Sequence, residues 1–151
     1  VEEAAELLHE ERFREALSLL RDVVKADAKN PYAYFFMGQA LYECGELGPS
    51  RDAYRACALV APEHLGARIA LCHVLRQLGE VKEAIAEGNR ALDQAPGDAD
   101  ALYALGMAHL ARGDDAAARR HLEAFLNAGP EFEVATEVRA VLEDMASGKR
   151  K

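Results

Sequence analysis

The sequence predicts an all-α chain of helical hairpins stacked in one dimension, and three observations predict it. Pro62, Pro96 and Pro130 stand 34 residues apart. Gly45, Gly79 and Gly113 keep the same interval, and so do Gly38 and Gly106 with Cys72 between them. The chain is rich in Ala and Leu, and its Val and Ile show no period-two alternation, which favours helix over strand. A fixed period of this length marks repeated supersecondary units rather than one closed core.

Sliding the chain by one period gives each column a structural reading. Ala4, Gly38, Cys72 and Gly106 form one column of small residues, and Ala16, Ser50, Ala84 and Ala118 a second. Small side chains there let two helices approach closely. Leu7, Leu41 and Leu75 form a bulky column that His109 interrupts; Leu20, Tyr54 and Leu122 form another that Gly88 interrupts. The Gly column sits where the first helix of a unit turns back into the second. The Pro column ends the second helix, since Pro lacks an amide hydrogen and disfavours helix in the residue before it. On this basis helices are expected near 1–10, 12–27, 31–44, 47–60, 65–78, 81–94, 99–112, 115–127 and 131–146. Val134, Val138, Val141 and Leu142 give the last of these one apolar stripe. Glu133, Glu137, Arg139, Glu143 and Asp144 keep its other faces wet, as suits a helix that closes an array.

Small, bulky, Gly, small and Pro columns in a 34-residue helix–turn–helix resemble the tetratricopeptide repeat. The resemblance covers nearly the whole chain and implies a right-handed α-solenoid in a single domain over 1–146. Its repeats would be 1–30 (partial), 31–64, 65–98 and 99–132, with a cap helix at 133–146 and a basic tail or linker at 147–151. Four departures bear on local packing. Ala28 replaces Pro and Glu11 replaces Gly in repeat one, Arg68 fills a slot held elsewhere by Tyr34 and Leu102, and Phe125 stands where Cys57 and Ala91 are small.

The resemblance also implies a site. In that family the first helices of successive repeats line a concave face that holds ligands. The matching positions are Tyr32, Phe35, Gln39, Tyr42 and Glu43 in repeat two, and Gly66, Ile69, His73, Arg76 and Gln77 in repeat three. Repeat four supplies Asp100, Tyr103, Met107, Leu110 and Ala111. Aromatic and Met side chains on such a face are expected anchors for a partner helix or extended segment, with a polar middle at His73, Arg76 and Gln77. The competing expectation is ordinary packing of these side chains against neighbouring helices. Arg76 is expected to meet an acidic group on the ligand, or Glu43 or Glu80. Some family members clamp chaperone C-terminal carboxylates with Lys, Asn and Arg. The matching sets here are Phe35, Gln39, Ala70, Asp100 and Ala104 or, one repeat earlier, Val1, Ala5, Phe36, Gly66 and Ala70, and neither set carries a cation.

Signals for chemistry are absent. His9, His64, His73, His109 and His121 never fall three or four apart, so no two stack on one helical face as metal ligands. Cys72 and His73 are neighbours that point about 100° apart on a helix, which is no nucleophile–base pair. Cys57 and Cys72 fall in small-residue columns and are expected to be buried; Cys44, beside Gly45, is expected to be more exposed. His109 is expected to be partly buried with a local partner. There is no glycine-rich phosphate loop and no Gly-x-Ser-x-Gly turn. The expectation is no enzyme, no cofactor and no metal.

The net charge of −8 gives no field for a phosphate backbone, and no apolar run is long enough to span a bilayer. Three widely spaced cysteines fit no disulfide framework and favour a reducing compartment, hence the cytoplasm. The chain starts without Met and is read as a trimmed piece of a longer protein, which leaves periplasmic or membrane-tethered placement open. The expected role is an interaction scaffold for a protein or peptide, with no nucleic-acid partner and no membrane insertion. The alternatives are a homo-oligomer formed through an apolar edge at Val1, Ala4, Ala5 and Leu8, or an accessory domain of a larger protein.

Overall fold

The computed structural model describes residues 1–148, and the described residues form nine helices and no strand. In order these are α1 (Glu2–His9), α2 (Phe13–Ala26), α3 (Pro31–Glu43), α4 (Leu47–Val60), α5 (Leu65–Gln77), α6 (Val81–Gln94), α7 (Ala99–Arg112), α8 (Asp115–Asn127) and α9 (Phe132–Ser147). Each odd helix pairs with the next as a hairpin, and each hairpin stacks on its successor, through to α8 on α9. The last three residues of the expected basic tail lie outside the described residues.

The hairpin turns repeat one chemistry. Gly45, Gly79 and Gly113 take φ of 80°, 83° and 90°, a left-handed conformation that a side chain opposes. The amide of the next residue then reaches back over the turn: Glu46 to the Leu41 carbonyl at 2.9 Å, Glu80 to Leu75 at 2.8 Å and Asp114 to His109 at 3.0 Å. Repeat one closes identically, Arg12 to Leu7 at 2.8 Å, but through Glu11 at φ 60°.

Turns between repeats carry their own periodic device. Asn30, His64 and Asp98, also 34 apart, accept side-chain hydrogen bonds from the amides of Ala33, Ala67 and Ala101 at 3.2, 3.0 and 2.9 Å. They cap α3, α5 and α7, each satisfying an amide that has no partner within its helix. Pro62 and Pro96 follow the C-cap residues Ala61 and Ala95, so both helices stop just short of where Pro would have to join them.

The core is a row of clusters rather than one centre. Small residues set how closely helices approach. A Cβ on Gly38 would lie 2.5 Å from the Tyr54 ring, and one on Gly106 2.7 Å from Leu122. Repeat three inverts the pair. Cys72 holds the small slot and Gly88 the large one, and a Cβ on Gly88 would meet Leu105 of the next repeat at 2.9 Å and Cys72 Sγ at 3.4 Å. The break in that column at Gly88 is therefore filled by a neighbour.

Two other departures have equally local reasons. The Tyr34 hydroxyl donates to the Ala28 carbonyl at 2.8 Å; one period on, Arg68 Nε donates to the Pro62 carbonyl at 3.1 Å. Arg68 thus keeps the hydrogen bond of the aromatic it replaces, and Glu87 on α6 neutralises it at 2.9 Å with both side chains largely buried (14% and 12% exposed). Phe125 is buried between Tyr103 and the cluster that α9 closes through Val138. Its bulk serves the end of the array.

Candidate binding groove on the inner face

The odd-numbered helices form one face, and their spacing along it is uneven. Helix α5 packs directly on α7, whereas α3 and α5 make no comparable contact among the described residues. Small residues permit the first approach: Cys72, Ala104 and Ala108 are fully buried in the shared cluster. Between α3 and α5 the Tyr54 ring, passing over Gly38, and the Phe35 ring occupy the space instead.

This unevenness leaves two adjoining cavities. The central one, about 400 Å³, runs from Tyr42 and Tyr54 across Ala70, Val74, Arg76 and Gln77. The second, about 580 Å³, lies between Ala99 and Asp100 of α7, Phe125 of α8 and the segment Gly129–Glu131 with Val134 of α9. His73 and Tyr103, with ring centroids 5.7 Å apart, belong to both and form the wall they share. Tyr103 leans in turn on Phe125 at 5.2 Å.

Of the residues expected on this face, Tyr42, His73, Arg76 and Tyr103 line the cavities, together with Gln77 and Asp100. Phe35 does not. Its ring packs on His64 at 4.8 Å, Tyr54 at 5.7 Å and Phe36 at 5.9 Å, and it lies against Gly66, where a Cβ would sit 3.3 Å from it. Tyr32 is exposed at the rim with its ring edge-on to His64 at 6.3 Å. Ile69 packs on the central core cluster and Met107 on the cluster that α9 closes. Gln39 and Leu110 are half-buried and line neither cavity. Tyr54, Phe125, Pro130, Glu131 and Val134 line the cavities without having been expected there. Tyr54 and Phe125 come from second helices, which the repeat register assigns to the outside; only the misplaced bulk of Phe125 signalled a special role.

The electrostatics centre on α5. Arg76 Nη2 lies 3.3 Å from His73 Nδ1. A guanidinium can only donate, so Nδ1 accepts and the neutral ring carries its proton on Nε2. Burial, and then the Arg76 charge, push the His73 pKa down to about 4, so the ring is neutral at physiological pH. Gln77 Nε2 donates to the Tyr42 hydroxyl oxygen at 2.8 Å, tying α5 to α3 across the central cavity. Neither carboxylate expected beside Arg76 forms an ion pair with it: Glu80 is bound by Arg51 at 2.6 Å, and Glu43 is exposed.

All three cysteines are free, with Cys57 and Cys72 buried and their thiols pushed up to about 11 and 12 by burial, unfavourable to a thiolate. His109 and His121, 12 residues apart in sequence, meet face to face across the α7–α8 hairpin with centroids 5.3 Å apart. Spacing along a single helix did not reveal that pair. His109 is held below its ordinary pKa by burial first and by His121 second, and its Nδ1 is buried without a hydrogen-bond partner among the described residues. No group of three or more His, Cys, Asp or Glu among the described residues is placed to hold a metal ion. No described helix is long and apolar enough to cross a membrane.

Stacked helical hairpins with periodic left-handed turns, small-residue contacts and a recessed inner face define an α-helical repeat protein. The tetratricopeptide-repeat profile matches residues 1–58, 45–99 and 69–131, and the chain belongs to the tetratricopeptide-repeat family. No curated protein matches the chain significantly. Among solved structures, a crystal structure of MamA superposes with a TM-score of 0.84 at 21% identity, covering 97% of this chain and 85% of that one. The crystal structure of YrrB, described as a TPR protein with an unusual peptide-binding site, gives 0.81 at 18% identity over 91% of this chain and 71% of that one. The first TPR of Spaghetti (RPAP3), bound to an HSP90 peptide, gives 0.71 at 16% identity over 74% and 89%. At these identities the likeness is one of fold.

Proposed function

We propose that the chain is a non-enzymatic interaction scaffold that holds a helix or extended segment of a partner protein in the inner-face groove. The observation that carries this reading is the continuity of the two cavities, which share the His73–Tyr103 wall and draw their linings from α3, α4, α5, α7, α8 and α9. Such a surface is assembled before the ligand arrives, so binding loses little to reorganisation, and aromatic walls supply contact area at low entropic cost. Peptide binding by YrrB and by the Spaghetti domain is in keeping with this use of the fold. Chaperone-tail binding by the clamp described above is not part of the proposal, because its positions carry no cation.

The test is a pull-down from source lysate with wild type beside a Tyr42→Ala/Tyr103→Ala variant whose helicity is checked by circular dichroism. The captured partner is then mapped by hydrogen exchange. The expected outcome is capture by wild type alone, with protection on α3, α5 and α7. Equal capture by both proteins, or protection confined to α2, α4, α6 and α8, moves the site off this face.

A further inference from the structure

We propose that the central cavity is a receptor for one acidic side chain, an Asp or Glu presented internally by the partner segment, with Arg76 as its counter-charge; this rests on the groove reading above. Among the described residues, the other arginines that are not fully exposed each hold a carboxylate: Arg51 with Glu80 at 2.6 Å, Arg55 with Glu83 at 2.8 Å, Arg68 with Glu87 at 2.9 Å and Arg119 with Glu123 at 3.9 Å. Arg76 is as recessed and holds none, and its Nε is buried without any hydrogen-bond partner. A recessed charge without a counter-charge is costly, so a fold keeps one where something outside completes it.

The cavity around Arg76 is built to the same sign. No Asp or Glu lines it, although the chain as a whole carries a net charge of −8. Its polar groups are mostly donors. His73 offers the Nε2 proton, and Tyr42 accepts from Gln77 and so keeps its own hydroxyl proton to give. A carboxylate, acceptor-only and singly charged, matches one guanidinium and neutral donors; a phosphate dianion would stay half-compensated. The adjoining cavity has the opposite character, with Asp100 and Glu131 beside Phe125 and Val134. The ligand therefore enters in one orientation, its acidic residue towards α3 and an apolar residue towards α9.

The test pans a random peptide display library, fused through the peptide C-termini so that only internal carboxylates are presented, against wild type and Arg76→Gln. Wild type is expected to enrich peptides with Asp or Glu at a fixed distance from an apolar residue. For a synthetic, C-terminally amidated peptide, either Arg76→Gln or the acid-to-amide change in the peptide should weaken binding about tenfold. The two losses should not add, and Arg76→Lys should recover part of the affinity. Arg76→Gln should melt no lower than wild type, since it breaks no internal ion pair, which separates lost binding from lost folding. Peptides without an acidic preference that bind wild type and Arg76→Gln equally, yet fail on Tyr42→Ala/Tyr103→Ala, overturn the carboxylate site and leave the groove standing. A free-acid peptide that binds tenfold or more tighter than its amidated form also overturns the assignment, because the receptor then reads a chain terminus. Peptides that bind the tyrosine variant as well as wild type, or a library that yields no binder, overturn both readings.

Discussion

Glu11 occupies the turn position that Gly45, Gly79 and Gly113 occupy in the other hairpins, and it adopts the same left-handed backbone at φ 60°. Its side chain is exposed, and the hydrogen bond that closes the turn is a backbone one from Arg12 to Leu7. The conformation is thus imposed by the fold against the preference of the residue. A non-glycine residue in this region loses about 1–2 kcal/mol, offset in part by the greater chain entropy that Gly gives up on folding. Glu11→Gly is expected to raise stability by about 1 kcal/mol in urea denaturation, and Gly79→Ala to lower it by a similar amount. A Glu11→Gly variant less stable than wild type would show that the glutamate side chain contributes something the turn geometry does not reveal.

At the scale of elements, punctuation made the helices legible and packing made the site only partly so. Every hairpin has its left-handed residue, and α4 and α6 stop just short of Pro62 and Pro96, so the expected and observed helices agree closely. The groove depended on which side chains win space between helices, which no periodicity encodes. Phe35 packs onto Tyr54 and His64 instead of lining either cavity, while Tyr54 and Phe125 reach the cavities from second helices, Tyr54 passing over Gly38. The cap columns Asn30, His64 and Asp98 were legible in principle, but a histidine among them obscured the pattern. Helix α9 tests the packing argument directly. Val138 is 1% exposed against Leu102, Leu122 and Phe125, whereas Phe132 on the same helix is 80% exposed. Val138→Ala is expected to cost about 2 kcal/mol and Phe132→Ala no more than about 0.5 kcal/mol by urea denaturation. Equal costs would mean that α9 docks through another face.

At the scale of the whole molecule, the recessed histidines tie stability to pH. His73 ordinarily titrates near 6.5 but is pushed down to about 4 in the folded chain, and His109 is also held low. The unfolded chain therefore takes up protons that the folded chain refuses. Stability is complete above pH 6.5 and is lost as the pH falls towards 4. Between pH 7 and pH 5 this should remove about 2 kcal/mol at His73 alone. His73→Gln keeps an acceptor for Arg76 and should flatten the dependence of the urea midpoint over that range. An unchanged slope would place the coupling at other groups.

The exchange of sizes at Cys72 and Gly88 limits how this chain can be rearranged. Repeat three lacks the bulky residue that fills its own hairpin and borrows Leu105 from repeat four. A copy of it placed at the end of an array would carry a hole, and one placed before repeat two would face Met37, the residue two periods before Leu105. The first arrangement leaves the hairpin unfilled, while the second supplies a methionine in place of the leucine. Repeat three is therefore a module with a grammar: it can be followed, but it cannot come last.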